Sequence, residues 1–344
     1  MFLRSFFFLF TCVFVFPSSS IAQQSYKFYG RIDIGVVGGF NDRIKQNKND
    51  IRHYWGKGNI NTIRQNYTSR LGFVSREKLW AGNEFEARLE GTIEKEKEFS
   101  FDRELYVGLR GSFGWVRYGR TRDLINGIFT RVSPFKNDNV VVDKILLAQQ
   151  AGVGAWRISN SLTYVSPNIN GFVGSMQFAS KKNSDSDAMK FLLTYDNGPF
   201  GIHLGLDKPL QIEISDGKYN IGKNASNLIL GSFYDFNSFK FAFELLKSDR
   251  NLNSKNISSD LMEISGSKIG QIFSLRIPTY SGEIKLVYVK SNMVFNNKGE
   301  NLPIEEIGFG YEYFLSKTVF LFGQLGLEKK SNGGHWQFGM NIKF

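Results

Sequence analysis

The chain has 344 residues, 42% hydrophobic and 15% aromatic, with a formal net charge of +11 from 43 Lys plus Arg and 32 Asp plus Glu. After residue 22 no run approaches the roughly 20 apolar residues that a membrane helix needs, so helical spans are excluded while half-apolar barrel strands are not. The basic residues are spread along the whole chain rather than gathered in one cluster, so attraction of small anions is a simpler reading of the charge than nucleic-acid binding.

The first stretch, MFLRSFFFLFTCVFVFPSSSIA, carries one positive charge at Arg4, an apolar run from Phe6 to Phe16, and small residues at Ser20 and Ala22. That pattern is a secretory signal peptide over residues 1–22, with the exported chain starting near Gln23 and residues 23–344 forming one domain. Cys12 is the only cysteine and lies in the part removed, so the exported chain has neither disulfide nor thiolate chemistry.

From residue 26 onward, period-two apolar segments bounded by Gly, Pro, Asn, Asp and Ser predict strands, and no convincing amphipathic helix. The spans are 26–39, 65–77, 83–96, 101–111, 113–121, 156–166, 171–181, 187–196, 200–208, 225–235, 239–248, 266–278, 281–291, 303–313, 318–328 and 334–344. These are sixteen segments, each near the length of a tilted membrane strand. Short turns (Lys78–Gly82, Ser112, Pro167–Asn170, Asn197–Pro199, Phe236–Ser238, around Tyr280, Phe314–Lys317) fall at every second connection. Several of the others are long: Phe40–Arg64, Arg122–Ala155, Pro209–Asn224 and Asp249–Ser265. A soluble sandwich has no reason to place its long loops at one end; an even-stranded barrel does. In hydrocarbon every backbone N–H and C=O needs an internal partner, so such a sheet closes on itself. Closure explains why alternation runs undiminished through GGHWQFGMNIKF to Phe344: the last strand pairs with the first.

Strand parity assigns faces. Phe28, Gly30, Ile32 and Ile34 form one row, which turns Lys27, Tyr29, Arg31 and Asp33 inward. Leu71 and Phe73 outward place Arg70 inward; Phe85, Ala87 and Leu89 outward place Glu86, Arg88 and Glu90 inward. Val116 and Tyr118 outward place Arg117 inward, and Ile158, Leu162 and Tyr164 outward place Arg157 inward. Lys285 and Arg276 face inward on the far wall, and the segment 318–328 is ambiguous. A charged side chain on the lipid face near the midplane costs roughly 2–4 kcal/mol, which alone explains any single inward arginine. Five on the first six strands (Arg31, Arg70, Arg88, Arg117 and Arg157) point further, to a basic wall that favours anions. Glu86 and Glu90 flank Arg88 and offset part of it.

YGRIDIGV (29–36), SRLGF (69–73), LYVGLRGSFGWVRYGR (105–120), NSLTYVSPNINGF (160–172) and the terminal Phe344 resemble, in this order and spacing, the Gram-negative general porins of the beta-proteobacterial and neisserial type. The resemblance covers about Tyr26 to Phe344. It implies an all-β, sixteen-stranded antiparallel transmembrane barrel in the outer membrane, a homotrimer, and passive diffusion of small hydrophilic solutes. It also implies a third loop folded into the lumen whose acids face the basic wall at a constriction. Phe344 would be the signal read by the barrel assembly machinery, and the partners are outer-membrane lipids and lipopolysaccharide, small ions and solutes. The third loop, Arg122 to Ala155, departs from acid-rich relatives: it offers Asp123, Asp138 and Asp143, but also Arg131, Lys136 and Lys144.

Enzyme chemistry finds no support. His53, His203 and His335 lie far apart in sequence, and there is no Gly-x-Ser-x-Gly segment or metal-spaced His/Glu pair, so no catalytic residue, metal site or cofactor is assigned. Asp216-Gly217 and Asn296-Asn297 read as turn chemistry. The polar loop NLNSKNISSD (251–260) keeps an adhesin or host-contact role as an alternative, and a barrel hydrolase is a more remote one. Gly30 and Gly35 would permit close approach of a neighbouring subunit, among other uses.

Overall fold

A computed structural model describes residues 24–40, 62–64, 68–93, 99–135, 157–179, 188–208, 226–250, 266–295, 300–329 and 333–344. The signal segment 1–22, His53, Asp138, Asp143, Asp216-Gly217, Asn296-Asn297 and the loop 251–260 lie outside the described residues.

The described chain runs β1 (Gln24–Phe40), β2 (Thr62–Arg64), β3 (Arg70–Lys78), β4 (Glu84–Thr92), β5 (Ser100–Gly111), β6 (Gly114–Arg122) and a helix, α1 (Leu124–Val132). It continues through β7 (Arg157–Val165), β8 (Phe172–Ala179), β9 (Ala188–Asn197), β10 (Phe200–Lys208), β11 (Ser226–Asp235) and β12 (Lys240–Arg250). The last strands are β13 (Gly266–Thr279), β14 (Gly282–Phe295), β15 (Glu300–Phe314), β16 (Val319–Glu328) and β17 (Gly333–Lys343).

From β3 to β17 consecutive strands pair antiparallel. β2 and β3 share one position, because both pair with β1, at Gly35–Val37 and Gln24–Arg31 respectively. The other side of β1 pairs with β17, from Arg31 opposite Lys343 to Phe40 opposite Gly334, which closes a sixteen-stranded barrel. Closure leaves no edge to be satisfied by water, the requirement set by a hydrocarbon surround.

The period-two sequence becomes two faces. On β10, Phe200, Ile202, Leu204 and Leu206 are exposed while Gly201, His203, Gly205 and Asp207 are buried. Exposed aromatics and aliphatics of this kind recur around the molecule, as expected of a surface solvated by lipid. The connections 79–83, 112–113, 166–171, 198–199, 236–239, 280–281 and 315–318 all lie at one end, and none is longer than six residues. Left-handed backbone concentrates there, at Ala81, Gly82, Asn170, Gly171, Gly198 and Asn237, where tight turns demand it.

Three details depart from the parity reading. First, α1 occupies a stretch expected to be plain loop. Second, Ile158 is buried against Ala179 rather than facing outward. The register slips between Gly119 and Thr121, and Asn160 turns to φ 52, so one extra residue on β7 re-aims the side chains beyond it. Third, Gly30 and Gly35 serve contacts within the chain. A Cβ on Gly30 would lie 2.2 Å from Cζ of Phe344, and one on Gly35 2.6 Å from the Phe338 carbonyl oxygen. The Gly30 N–H donates to the Phe344 oxygen at 2.9 Å and the Phe344 N–H to the Gly30 oxygen at 3.2 Å.

Candidate functional site: a basic wall and the helix opposite

The arginines of β1 to β7 gather around three glutamates. Glu90 is the hub. Its carboxylate accepts from Arg103 Nε at 2.5 Å and the Tyr29 hydroxyl at 2.8 Å, with Arg157 Nη2 at 3.5 Å and Arg70 Nε at 3.7 Å. Glu86 pairs with Arg76 at 2.7 Å and with Arg88 at 3.8 Å, and accepts from the Tyr106 hydroxyl at 2.7 Å. Glu104 pairs with Arg88 at 3.1 Å. Arg117 lies over Trp115, 4.1 Å from the ring centroid, and Arg122 lies within electrostatic reach of Glu90 and Glu104. Arg31 sits between Arg70 and Lys343 in direct cross-strand register, so three cations from adjacent strands share one row. Like charges directly opposite destabilise a sheet, which makes that row costly for folding alone.

Of the residues the sequence singles out, Arg70 and Arg157 meet at Glu90, Arg88 stands one step along, and Arg31 and Arg117 flank the group. Reading by parity missed Arg103, Glu104, Tyr106 and Lys343. Arg103 and Glu104 are consecutive, so alternation admits only one of them. The register shift between Glu90 and Thr92 lets both engage the same cluster.

Asp123 follows Arg122, whose charge it opposes, and is 1% exposed at the root of α1. Its Oδ1 accepts the backbone N–H of Ile125 at 2.8 Å and of Asn126 at 3.1 Å, the geometry of a helix N-cap. Its Oδ2 meets Lys190 Nζ at 2.7 Å, and Lys190 meets Asp207 at the same distance. Gln177 completes the root: its Oε1 accepts from Leu124 N–H at 3.2 Å, and its Nε2 donates to Thr121 Oγ1 and the Arg122 oxygen.

From there the chain lies against β8 to β15. Ile125 and Ile128 pack on Ile229 and Leu246, over Gly205, where a Cβ would come within 2.8 Å of Ile125. Ser274 Oγ donates to the Val132 oxygen at 2.5 Å, and Phe135 is fully buried against Gly310. The charges of this side are largely paired with each other: Lys285 with Glu312 and Glu283, Arg276 with Glu283, Arg131 with Asp196. His203 reaches Glu244 at 3.5 Å across Gly231, with both side chains buried. His335 stands on β17, away from that pair. Among the described residues no group of three His, Cys, Asp or Glu side chains is placed to hold a metal ion.

Residues 10–333 match the model of a family described as Gram-negative porin. Outer membrane porin protein 32 of Delftia acidovorans is 25% identical over 331 residues, covering 91% of this chain and 86% of that protein. The anion-selective porin from Comamonas acidovorans superposes with a TM-score of 0.72 at 22% identity, over 94% of this chain and 100% of that one. The outer-membrane protein OmpT of Vibrio cholerae, in its trimer form, gives a TM-score of 0.69 at 10% identity, over 93% and 99%.

Proposed function

The chain belongs to the Gram-negative porins, outer-membrane β-barrels, and on that premise we propose that it forms a water-filled channel for passive diffusion of small hydrophilic solutes, with a preference for anions. The observation that carries the anion preference is the unequal pairing of charge. On β1 to β7, arginines 31, 70, 76, 88, 103, 117, 122 and 157 outnumber Asp33, Glu84, Glu86, Glu90 and Glu104, whereas the opposite side pairs its charges nearly one to one. Rings and ladders of fixed arginine favour anions, and guanidinium holds its charge at any pH the cell meets. The Delftia and Comamonas relatives, the second of them anion-selective, support the same reading.

We read residues 1–22 as the export signal and 23–344 as the barrel. The third loop folds into the lumen on this reading, and the contacts of α1 support it. Ile229 and Leu246, which it covers, alternate along their strands with exposed Leu228, Leu230 and Phe241. Trimeric OmpT supports assembly in threes, and lipopolysaccharide and the barrel assembly machinery complete the expected partners.

Purified protein in planar bilayers tests the channel. The expected record is stepwise, ohmic conductance that rises with salt concentration, with steps that close in thirds. A protein that inserts as a heat-modifiable barrel yet gives no steps contradicts the proposal.

A further inference from the structure

Arg117 is unlike its neighbours on the basic wall. Arg70, Arg103 and Arg157 converge on Glu90, and Arg88 meets Glu86 and Glu104. Among the described residues no carboxylate lies within ion-pair distance of Arg117, or of Arg110 on the adjoining strand. Both guanidiniums are held by one indole: Arg117 is 4.1 Å and Arg110 4.3 Å from the Trp115 ring centroid. Tyr106 adds a second ring 5.6 Å from Arg117. Gly108 makes the room, since a Cβ there would lie 3.0 Å from both Arg117 Cγ and Trp115 Nε1.

Stacking on aromatic rings fixes a guanidinium in orientation without neutralising it. Arg117 Nε is buried without a hydrogen-bond partner and the guanidinium bonds the Tyr106 hydroxyl, which leaves the rest of the fork for a ligand. Two cations fixed on one ring repel each other; Glu84 faces Arg110 in cross-strand register but pairs with Arg76, and an anion that bridges the two guanidinium edges relieves the repulsion. A carboxylate suits that edge: its two coplanar oxygens match the spacing of a guanidinium fork. Glu104 lies within electrostatic reach of Arg117, and Glu86 accepts from the Tyr106 hydroxyl at 2.7 Å, so the nearby acids disfavour a doubly charged anion. The position is specific too, because Arg110 and Trp115 adjoin the turn at 112–113, at the end of the barrel where the connections are short.

We propose that Arg117, Arg110 and Trp115 form a station for small carboxylates near the short-turn mouth. This rests on the channel reading above and names a solute class for one end of it. The test adds acetate to a chloride solution bathing single channels of the full-length protein, first on one side and then on the other, with phosphate as a separate arm. The expected result is a saturating fall in chloride current, at lower acetate concentration from one side than from the other. Arg117→Lys keeps the charge but loses the fork, and should raise the half-saturating acetate concentration roughly fivefold while moving the chloride-to-potassium ratio far less. Arg110→Gln should raise it as well. Each recorded channel is an assembled one, so a folding defect changes the number of insertions and not the constant. Acetate that permeates without saturation overturns the station and leaves the porin reading intact. So does an unchanged constant in Arg117→Lys, or saturation by phosphate alone.

Discussion

Lys190 illustrates how one side chain ties the helix to the wall. It is 1% exposed and bridges Asp123 and Asp207, each at 2.7 Å, while Asn227 donates to the other oxygen of Asp207 at 2.9 Å. Burying an ion pair contributes little net stability, but removing one partner leaves a charge in the interior and costs about 3–5 kcal/mol. Lys190→Met strands two carboxylates. We expect a clear fall in the temperature at which the folded band converts to the unfolded one on heating, together with faster proteolysis between residues 136 and 156. An unchanged conversion temperature contradicts the latch. The same cluster marks a limit of reading by residue type: Asp123 looks like a loop acid in the sequence, and only its position just before Leu124-Ile125, with Ile128 and Val132 one and two turns on, identifies a cap. The start signal was present, but a helix of nine residues has too few turns to announce itself against the surrounding loop.

Strands were legible because lipid on one side and water on the other impose period two on nearly every one of them. The span 200–208 coincides with β10, and most others differ by only a few residues at their ends. What alternation conceals is a change of parity within a strand. The slips at Glu90/Thr92 and Gly119/Thr121 admit Arg103 to the cluster and bury Ile158; each carries a glycine, Gly91 and Gly119, but the strands hold many glycines that mark no slip. Alternation also fails where both faces are apolar. Ile229, Ile272, Val287 and Val289 are buried on the face opposite the exposed row, and Ile229 packs against Ile125 and Ile128 of α1. A rule that expects polar residues on the inner face cannot find them. The barrel seam belongs to this scale as well. Gly30 and Phe344 exchange both backbone hydrogen bonds, and the phenylalanine ring occupies the space that any side chain at Gly30 would need. Phe344 therefore closes the pairing of β1 with β17, and on the proposed reading it is also the handle by which the chain is assembled. Deleting it should lower the amount of protein recovered in the outer membrane severalfold, with the conductance of the surviving channels little altered. Recovery at the normal level sets the assembly role aside.

At the scale of the molecule, charge is distributed across the barrel rather than along it. One side carries arginines in excess of acids; the other carries paired charges and the apolar seat of α1. Salt screens charges beyond a Debye length of about 8–10 Å, so on the proposed reading the wall arginines, which meet an ion at close range, set the selectivity. The measurement that bears most directly on this is the zero-current potential across a salt gradient, for the wild type and for Arg70→Ser combined with Arg117→Ser. The arginine wall predicts a potential of the sign set by anion permeation, reduced clearly in the double variant. A wild type that favours cations, or a double variant with the wild-type permeability ratio, contradicts it.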